Sequence, residues 1–269
     1  MNPAPPVCDL VRLTHAEEVM GTVVSFDVRA HAGSERSVVE DLLPAACSLL
    51  HRTDAVFSTW KPQSPLSLLR RGDLTLANAP AELAEVLDLC RVAKTLSRGW
   101  FDPWAMPGGV DPTGLVKGWA AERALACLRT QGVEAALVNA GGDLVAFGHP
   151  TADDSWRVGI RHPWRPDALA AVVEVRAAVA TSGTYERGEH LVDPKDPGRA
   201  ARAASATVTG PSLAMADALA TALALGADDV LDAIEGPGAS DGLEGYEAYL
   251  VRSDGTERST AGMAFAEAG

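Results

Sequence analysis

An aspartate and a threonine stand four residues apart in PSLAMADALATALALG (211–226): Asp217 and Thr221. If this Ala-rich run is a helix, the two side chains share one face. A carboxylate beside a hydroxyl can then hold a hard cation such as Mg²⁺, which prefers oxygen ligands. Spacing alone does not separate such a site from an ordinary solvated pair. The neighbours say more. Ala214, Ala216, Ala218, Ala220 and Ala222 are small, so other backbone can approach closely. A polar pair on an otherwise apolar helix also needs a partner, because burying an unpaired polar group is costly.

Three further segments carry chemistry. VNAGGDL (138–144) ends an apolar run on Gly141, Gly142 and Asp143. Glycines there allow a close backbone approach or exposed N–H groups facing an anion, although a plain turn between strands explains them as well. DPTGLVKG (111–118) puts Lys117 in the first turn of a helix. The GxxxxGK[ST] spacing of a phosphate loop is absent, but a helix start can still offer N–H groups to phosphate. TSGTYERGEHLVDP (181–194) is dense in polar groups and places His190 three residues before Asp193. A structural hydrogen-bonded pair and a catalytic base with its orienting acid both fit that spacing. No GxSxG, HExxH or GxGxxG pattern occurs.

The elements that must position these groups follow from periodicity. TVVSFDVRA (22–30) alternates with Val24, Phe26 and Val28 on one face, which predicts a half-buried strand. Residues 34–58 have helical spacing with a kink near Pro44. PAELAEVLDLCRVAKTLSRG (80–99) has acids at its start and bases and Gly99 at its end, as helices do. A Pro/Gly-rich loop (100–114) precedes a helix over 115–132 that closes on Gly132. EAALVNA, GDLVAFG, WRVGIRH, AAVVEVRAAVATSG, ASATVTG and YEAYLVRS read as strands, and DDVLDAIEG as a short helix. Residues 1–18 read as a flexible leader ahead of one unit spanning 19–269. Strands and helices mix without strict βαβ alternation, so the fold class is α+β with mixed or antiparallel sheets.

Composition narrows the function classes. The 269 residues carry a formal charge of −13 and a pI near 4.8, which speaks against a nucleic-acid surface. An acidic chain that binds a phosphorylated ligand must offset repulsion locally. The four cysteines show no CxxC or Cys/His spacing and read as free thiols in a reducing compartment. The N-terminus lacks the basic start and apolar run of a signal peptide and offers no lipid-anchor context for Cys8. No run of about 18 apolar residues suggests a membrane segment. The expectation is a cytoplasmic protein.

Taken in order, the segments resemble the ApbE family of FAD:protein FMN transferases over about 20–226. MGTVVSFDV (20–28) is similar to the family's opening strand, FSTWKPQSPLSLLRRG (57–72) to its S-T-Tyr-x-x-x-S-x-x-S segment, and SRGWFDP (97–103) to G-x-F-D-P. VDPTGLVKGWAAERA (110–124) resembles D-x-x-G/A-x-x-K-G-x-A. VNAGGDLVAFG, TSGTYERGEHLVDP and TVTGPSLAMADALATALALG resemble the later blocks. The resemblance implies one α+β catalytic unit with FAD in a cleft. It implies Mg²⁺ held by Asp217, Thr221 and the carbonyl of Gly114. It implies attack by a Ser or Thr hydroxyl of a target flavoprotein on the FMN-side phosphorus of FAD, with AMP leaving. His190 is the candidate base or phosphate contact, and Asp193 the group that orients it. Lys117, Thr181 and Ser182 are candidate phosphate or AMP contacts, and Met20, Trp60 and Asp102 candidate flavin-side contacts. Thr22, Gly141, Gly142, Asp143 and Gly183 complete the expected FAD-binding set. Two alternatives use the same cleft: an Mg²⁺-dependent FAD pyrophosphatase and a non-catalytic FAD-binding protein. The chain departs from its relatives in a short stretch between 103 and 110, in Arg70 where they commonly have Asn, and in showing no export signal.

Overall fold

The computed structural model describes residues 10–151, 154–183, 191–236 and 241–266. Its first element corrects the leader expectation for residues 10–18, while residues 1–9 lie outside the described residues. Leu10–Val19 form strand β1, paired antiparallel along its length with β2 (Thr22–His31). The sequence hides β1 because its inward positions include His15 and Glu17 alongside Leu13 and Val19, so the alternation is not one of apolar with polar. As an edge strand it carries charges, among them Arg12, paired with Asp27 at 2.9 Å. Met20 and Gly21 make the two-residue turn, both with positive φ (55° and 68°), the signature of a type I′ hairpin.

The helical stretch α1 starts at Glu35–Ser37, passes through a π turn at Val38–Leu42, and continues as Leu43–Phe57. The expected irregularity is this π turn. Leu43 N–H donates to the Val38 carbonyl, five residues back, immediately before Pro44, which has no N–H to continue the ladder. Then come α2 (Pro65–Arg71), α3 (Ala81–Leu96) and α4 (Thr113–Leu128). The last ends four residues earlier than expected. Gly132, with φ 100°, instead turns the chain into the next strand.

Strands β3 (Val133–Ala140), β4 (Asp143–Phe147), β5 (Trp156–His162), β6 (Arg165–Val175), β7 (Ala178–Gly183) and β8 (Ala203–Gly210) follow. The run expected as one strand over 170–183 is thus split between β6 and β7. Helices α5 (Leu213–Gly226) and α6 (Asp228–Glu235) and strands β9 (Glu247–Arg252) and β10 (Glu257–Ser259) complete the described chain. Eight strands form one antiparallel sheet in the order β1-β2-β3-β4-β7-β8-β9-β10, and β5 and β6 form a separate hairpin. The observed architecture is the expected α+β class.

Alternation gives the sheet two faces. Phe26, Val138, Ala180 and Leu250 point into the main core beneath the helices. Ala135, Ala146, Val179, Tyr249 and Val251 pack on the opposite face with Trp156, Ile160 and Val173 of the β5–β6 hairpin. At the centre of the helical layer lies α5, with Leu213, Leu219 and Leu223 fully buried. Among the described residues, no helix is long and apolar enough to cross a membrane.

Candidate functional site

Two hairpin turns and the end of a strand come together at one end of the large sheet. Val19 pairs with Thr22 around the Met20–Gly21 turn, and Ala140 pairs with Asp143 around Gly141–Gly142. Because Leu144 pairs with Val179, the end of β7 at Thr181–Gly183 lies at that same end. The two hairpin turns touch. A Cβ on Gly141, whose φ is 62°, would lie 2.4 Å from Thr22 Oγ1, so glycine is required both for the turn and for the approach. Gly142 N–H donates to Asn139 Oδ1 at 2.8 Å.

Helix α5 passes behind this end. Its start is capped by Ser212, whose Oγ accepts from Met215 N–H. Glu122 of α4 accepts from Leu213 N–H, and burial pushes the Glu122 carboxyl above its ordinary range. The two helices cross almost backbone to backbone: a Cβ on Gly118 would meet the Leu213 carbonyl oxygen at 2.5 Å. At that crossing Asp217 Oδ2, on a residue only 4% exposed, accepts from Gly118 N–H at 3.3 Å.

One turn further along α5, Thr221 Oγ1 lies 3.3 Å from Ser182 Oγ on β7. The same oxygen would lie 3.6 Å from a Cβ placed on Gly114. Gly114, Ser182, Asp217 and Thr221 therefore gather between the first turn of α4, the middle of α5 and the end of β7. Every donor they offer is oxygen: a carboxylate, two hydroxyls and a main-chain carbonyl.

A second group adjoins the first. Asp143, 1% exposed, accepts from Thr181 N–H at 3.0 Å through Oδ1 and forms an ion pair with Lys117 through Oδ2. Thr181 Oγ1 lies 2.9 Å from Thr207 Oγ1 on β8. This bond ties β7 to β8 beside their backbone ladder, in which Thr181 pairs with Thr207.

Other expected site residues have different surroundings. Asp102 caps the short 3₁₀ turn Pro103–Ala105 and pairs with Lys94 at 2.7 Å. Its neighbour Phe101 reaches Gly114, where an added Cβ would lie 3.2 Å from the ring. Trp60 stands 93% exposed on the loop between α1 and α2. His190 lies outside the described residues. Asp193 is buried; its Oδ1 accepts from Lys195 N–H at 2.8 Å and Asp196 N–H at 3.2 Å. Its Oδ2 is buried with no hydrogen-bond partner among the described residues.

Sequence reasoning passed over Asn139, Gly118, Glu122, Ser212 and Thr207. Besides Gly118, a glycine inside a helix, two of them carry a usable signal. Ser212 precedes a long apolar helix at the capping position, and Thr207 sits at the centre of ASATVTG, where a buried hydroxyl demands a partner.

Comparison with known proteins places the chain in a family and a fold. The ApbE family matches residues 20–109 and 105–244. Over 164 residues the chain is 29% identical to the FAD:protein FMN transferase of Escherichia coli strain K12, covering 56% of this chain and 44% of that protein. Over 122 residues it is 33% identical to the FAD:protein FMN transferase of Rhodobacter capsulatus, covering 42% and 23% respectively. The chain thus spans less than half the length of these curated relatives. The fold is similar to that of the flavin transferase ApbE from Vibrio cholerae, with a TM-score of 0.78 at 19% identity over 94% of this chain and 98% of that one. A match running from residue 20 to residue 244 on a shared fold means that the chain belongs to the ApbE family.

Proposed function

We propose that this protein transfers the FMN half of FAD to a Ser or Thr hydroxyl of a target flavoprotein, releasing AMP, with Mg²⁺ bound at Asp217, Thr221 and the Gly114 carbonyl. The observation that carries this reading is the convergence of those three groups between α4, α5 and β7. The donor set suits a hard cation, being all oxygen with one carboxylate. The crossing of α4 and α5 adds a reason for Gly114. In a regular helix the Gly118 N–H points at the carbonyl four residues back, which is Gly114. Here that N–H also reaches Asp217 at 3.3 Å, and a carbonyl oxygen has two lone pairs, so the Gly114 oxygen can serve as a ligand beside its helical role. When bound, Mg²⁺ supplies charge neutralisation and Lewis acidity at a diphosphate.

The chain's own residues do the positioning. The turns at 20–21 and 141–142 bring backbone close to one another and define one wall. Lys117, Asp143 and Thr181 hold the end of β7 against the start of α4, so that Ser182 stays beside Thr221. In the reaction the target hydroxyl oxygen forms a bond to the FMN-side phosphorus, and the bond from that phosphorus to the bridging oxygen breaks. AMP leaves with the electron pair, and a base takes the hydroxyl proton. His190 is our candidate for that base, and Asp193, whose Oδ2 has no hydrogen-bond partner among the described residues, our candidate to orient it. Met20, Thr22 and Gly183 are our candidate flavin and nucleotide contacts at this end of the sheet, and Trp60 and Asp102, which have other surroundings, are candidates for the flavin side. A reducing, cytoplasmic setting is consistent with the free Cys47, Cys90 and Cys127.

The experiment incubates the chain with FAD, Mg²⁺ and a flavoprotein encoded beside it, and quantifies AMP and protein-bound flavin together. Transfer gives the target one FMN on Ser or Thr with an equal amount of AMP, and both are lost in excess chelator and in Asp217→Ala. AMP at the same rate with and without any target, and no covalent flavin, would replace transfer with FAD hydrolysis. Undiminished turnover in Asp217→Ala would remove the metal assignment.

A further inference from the structure

A second cluster of ligating side chains lies where β1 meets α1, on residues that play no part in the flavin site. His15 and Glu17, two apart on β1, face the same side of the strand. Cys47 and His51, four apart on α1, share one helix face. His15 Nε2 lies 3.2 Å from Glu17 Oε2, and His51 Nε2 lies 2.6 Å from Glu17 Oε1. One ligating atom each from His15, Glu17 and Cys47 fall within 4.8 Å of one another. The His15 ring is also steadied by Phe26, with ring centroids 6.0 Å apart.

We propose that His15, Glu17, Cys47 and His51 form a zinc site that clips edge strand β1 to α1. Tetrahedral Zn²⁺ takes sulfur at about 2.3 Å and nitrogen or oxygen at about 2.0–2.2 Å, which sets donor atoms roughly 3.3–3.8 Å apart. The three mutually close groups need side-chain shifts of only about 1 Å to close on an ion. His51, with 54% of its side chain exposed, turns from Glu17 to supply the fourth ligand. Two imidazoles and a thiolate select Zn²⁺ over Mg²⁺ or Ca²⁺, which want oxygen. A plain Glu–His ion pair would need one histidine and no cysteine. Here three ligand types converge from two elements about 30 residues apart in sequence. On binding, the Cys47 thiol releases its proton to solvent and both histidines coordinate as neutral rings through Nε2.

The clip has a physical purpose. Among the described residues β1 has a neighbouring strand on one side only, and its inward face carries polar side chains that contribute little hydrophobic burial. A metal crosslink to α1 would hold the strand that feeds the Met20–Gly21 turn.

The test uses the full chain, stripped with chelator and desalted after addition of Zn²⁺ or Co²⁺. One equivalent of Zn²⁺ should be retained, and Co²⁺ should give a thiolate-to-metal charge-transfer band with tetrahedral d–d intensity. Cys47→Ser should abolish the band, and His15→Ala should weaken Zn²⁺ binding roughly tenfold or more. Asp217→Ala should retain the ion, which separates this site from the proposed Mg²⁺ site. His51→Ala alters an exposed ligand alone and keeps the test valid if another variant misfolds by circular dichroism. A chain that retains no Zn²⁺, a Co²⁺ spectrum without the thiolate band, or equal retention by wild type, Cys47→Ser and His51→Ala would overturn the proposal.

Discussion

The carboxylate of Asp217 on α5 accepts the main-chain N–H of Gly118 on α4 at 3.3 Å, at the point where the two helices have no room for a side chain between them. The close crossing and the placement of the carboxylate are therefore one feature. Adding a Cβ at Gly118 puts carbon 2.5 Å from the Leu213 carbonyl oxygen and 2.9 Å from Ala214 N, both backbone atoms that cannot rotate away. Gly118→Ala should push the helices apart and cost about 1–3 kcal/mol, the usual penalty of overpacking. Denaturant unfolding measures the loss, and the proposed Mg²⁺-dependent transfer should fall further than stability alone explains. A variant as stable and active as the parent would mean the crossing is looser than described.

The Lys117–Asp143 pair gives a second test. Asp143 is 1% exposed, whereas about a quarter of the Lys117 side chain reaches solvent. Removing the lysine leaves a buried carboxylate without its cation. Lys117→Met should destabilise by up to about 3 kcal/mol, less than a fully buried pair because of the partial exposure. Adding Asp143→Asn should recover much of that loss, since the amide keeps an acceptor for Thr181 N–H. A double-mutant cycle reads the coupling, and additive single effects would show that the pair does not act as one.

Glu122 should make stability depend on pH. Desolvation raises its pKa above the ordinary 4.5, partly offset by the N–H groups of Leu213 and Ala214 and by Ser212. The folded state thus holds the proton more tightly than the unfolded chain. The stability this contributes is fully present below the unfolded pKa and is lost as pH rises through the raised folded value. Glu122→Gln should flatten that fall while keeping an acceptor for Leu213 N–H. Melting temperatures of the two proteins from about pH 4 to about pH 7 decide the matter. Parallel curves would mean that Glu122 is ionised in the fold as readily as in the unfolded chain.

How much of this was legible in the sequence depends on what each residue's signal was made of. The α5 helix, with Asp217 and Thr221 on one face, stands out because its apolar run is long and its polar pair isolated. The β2 strand is equally plain, since Val24, Phe26 and Val28 alternate with Ser25 and Asp27. β1 is hidden because Glu17 and His15 take inward positions for a local reason, their contacts with α1. Thr130, Gln131 and Gly132 look helical by continuity, but the helix stops at Leu128 so that the chain can enter β3. The Lys117–Asp143 pair and the Asp217–Gly118 bond join residues far apart in sequence, and no local pattern encodes them. The glycine at 118 is the exception in hindsight: inside a helix, glycine costs about 1 kcal/mol against alanine, so it has a reason to be there.

Arg70, expected from the sequence to depart from the family pattern, holds the loop it faces. Its guanidinium donates from Nε to the Gly108 carbonyl at 3.0 Å, from Nη2 to the Pro107 carbonyl at 2.9 Å and from Nη1 to Asp111 Oδ2 at 3.4 Å. Asp111 in turn accepts from Thr113 N–H at 3.0 Å through Oδ1, at the start of the helix that carries Gly114. One planar side chain thus joins α2 to the loop and, through Asp111, to the first turn of α4. A shorter arm cannot make all three bonds, so Arg70→Asn should free most of the loop. Three such bonds, partly exposed, are together worth about 1–2 kcal/mol of local stability. Amide exchange over 107–111 should then quicken by about 5–30-fold, while global unfolding changes little. Because Gly114 sits just beyond the loop, the KM for FAD should rise as well. Exchange rates matching those of the parent at 107–111 would show that the loop is held by its own turns and that Arg70 does not position it.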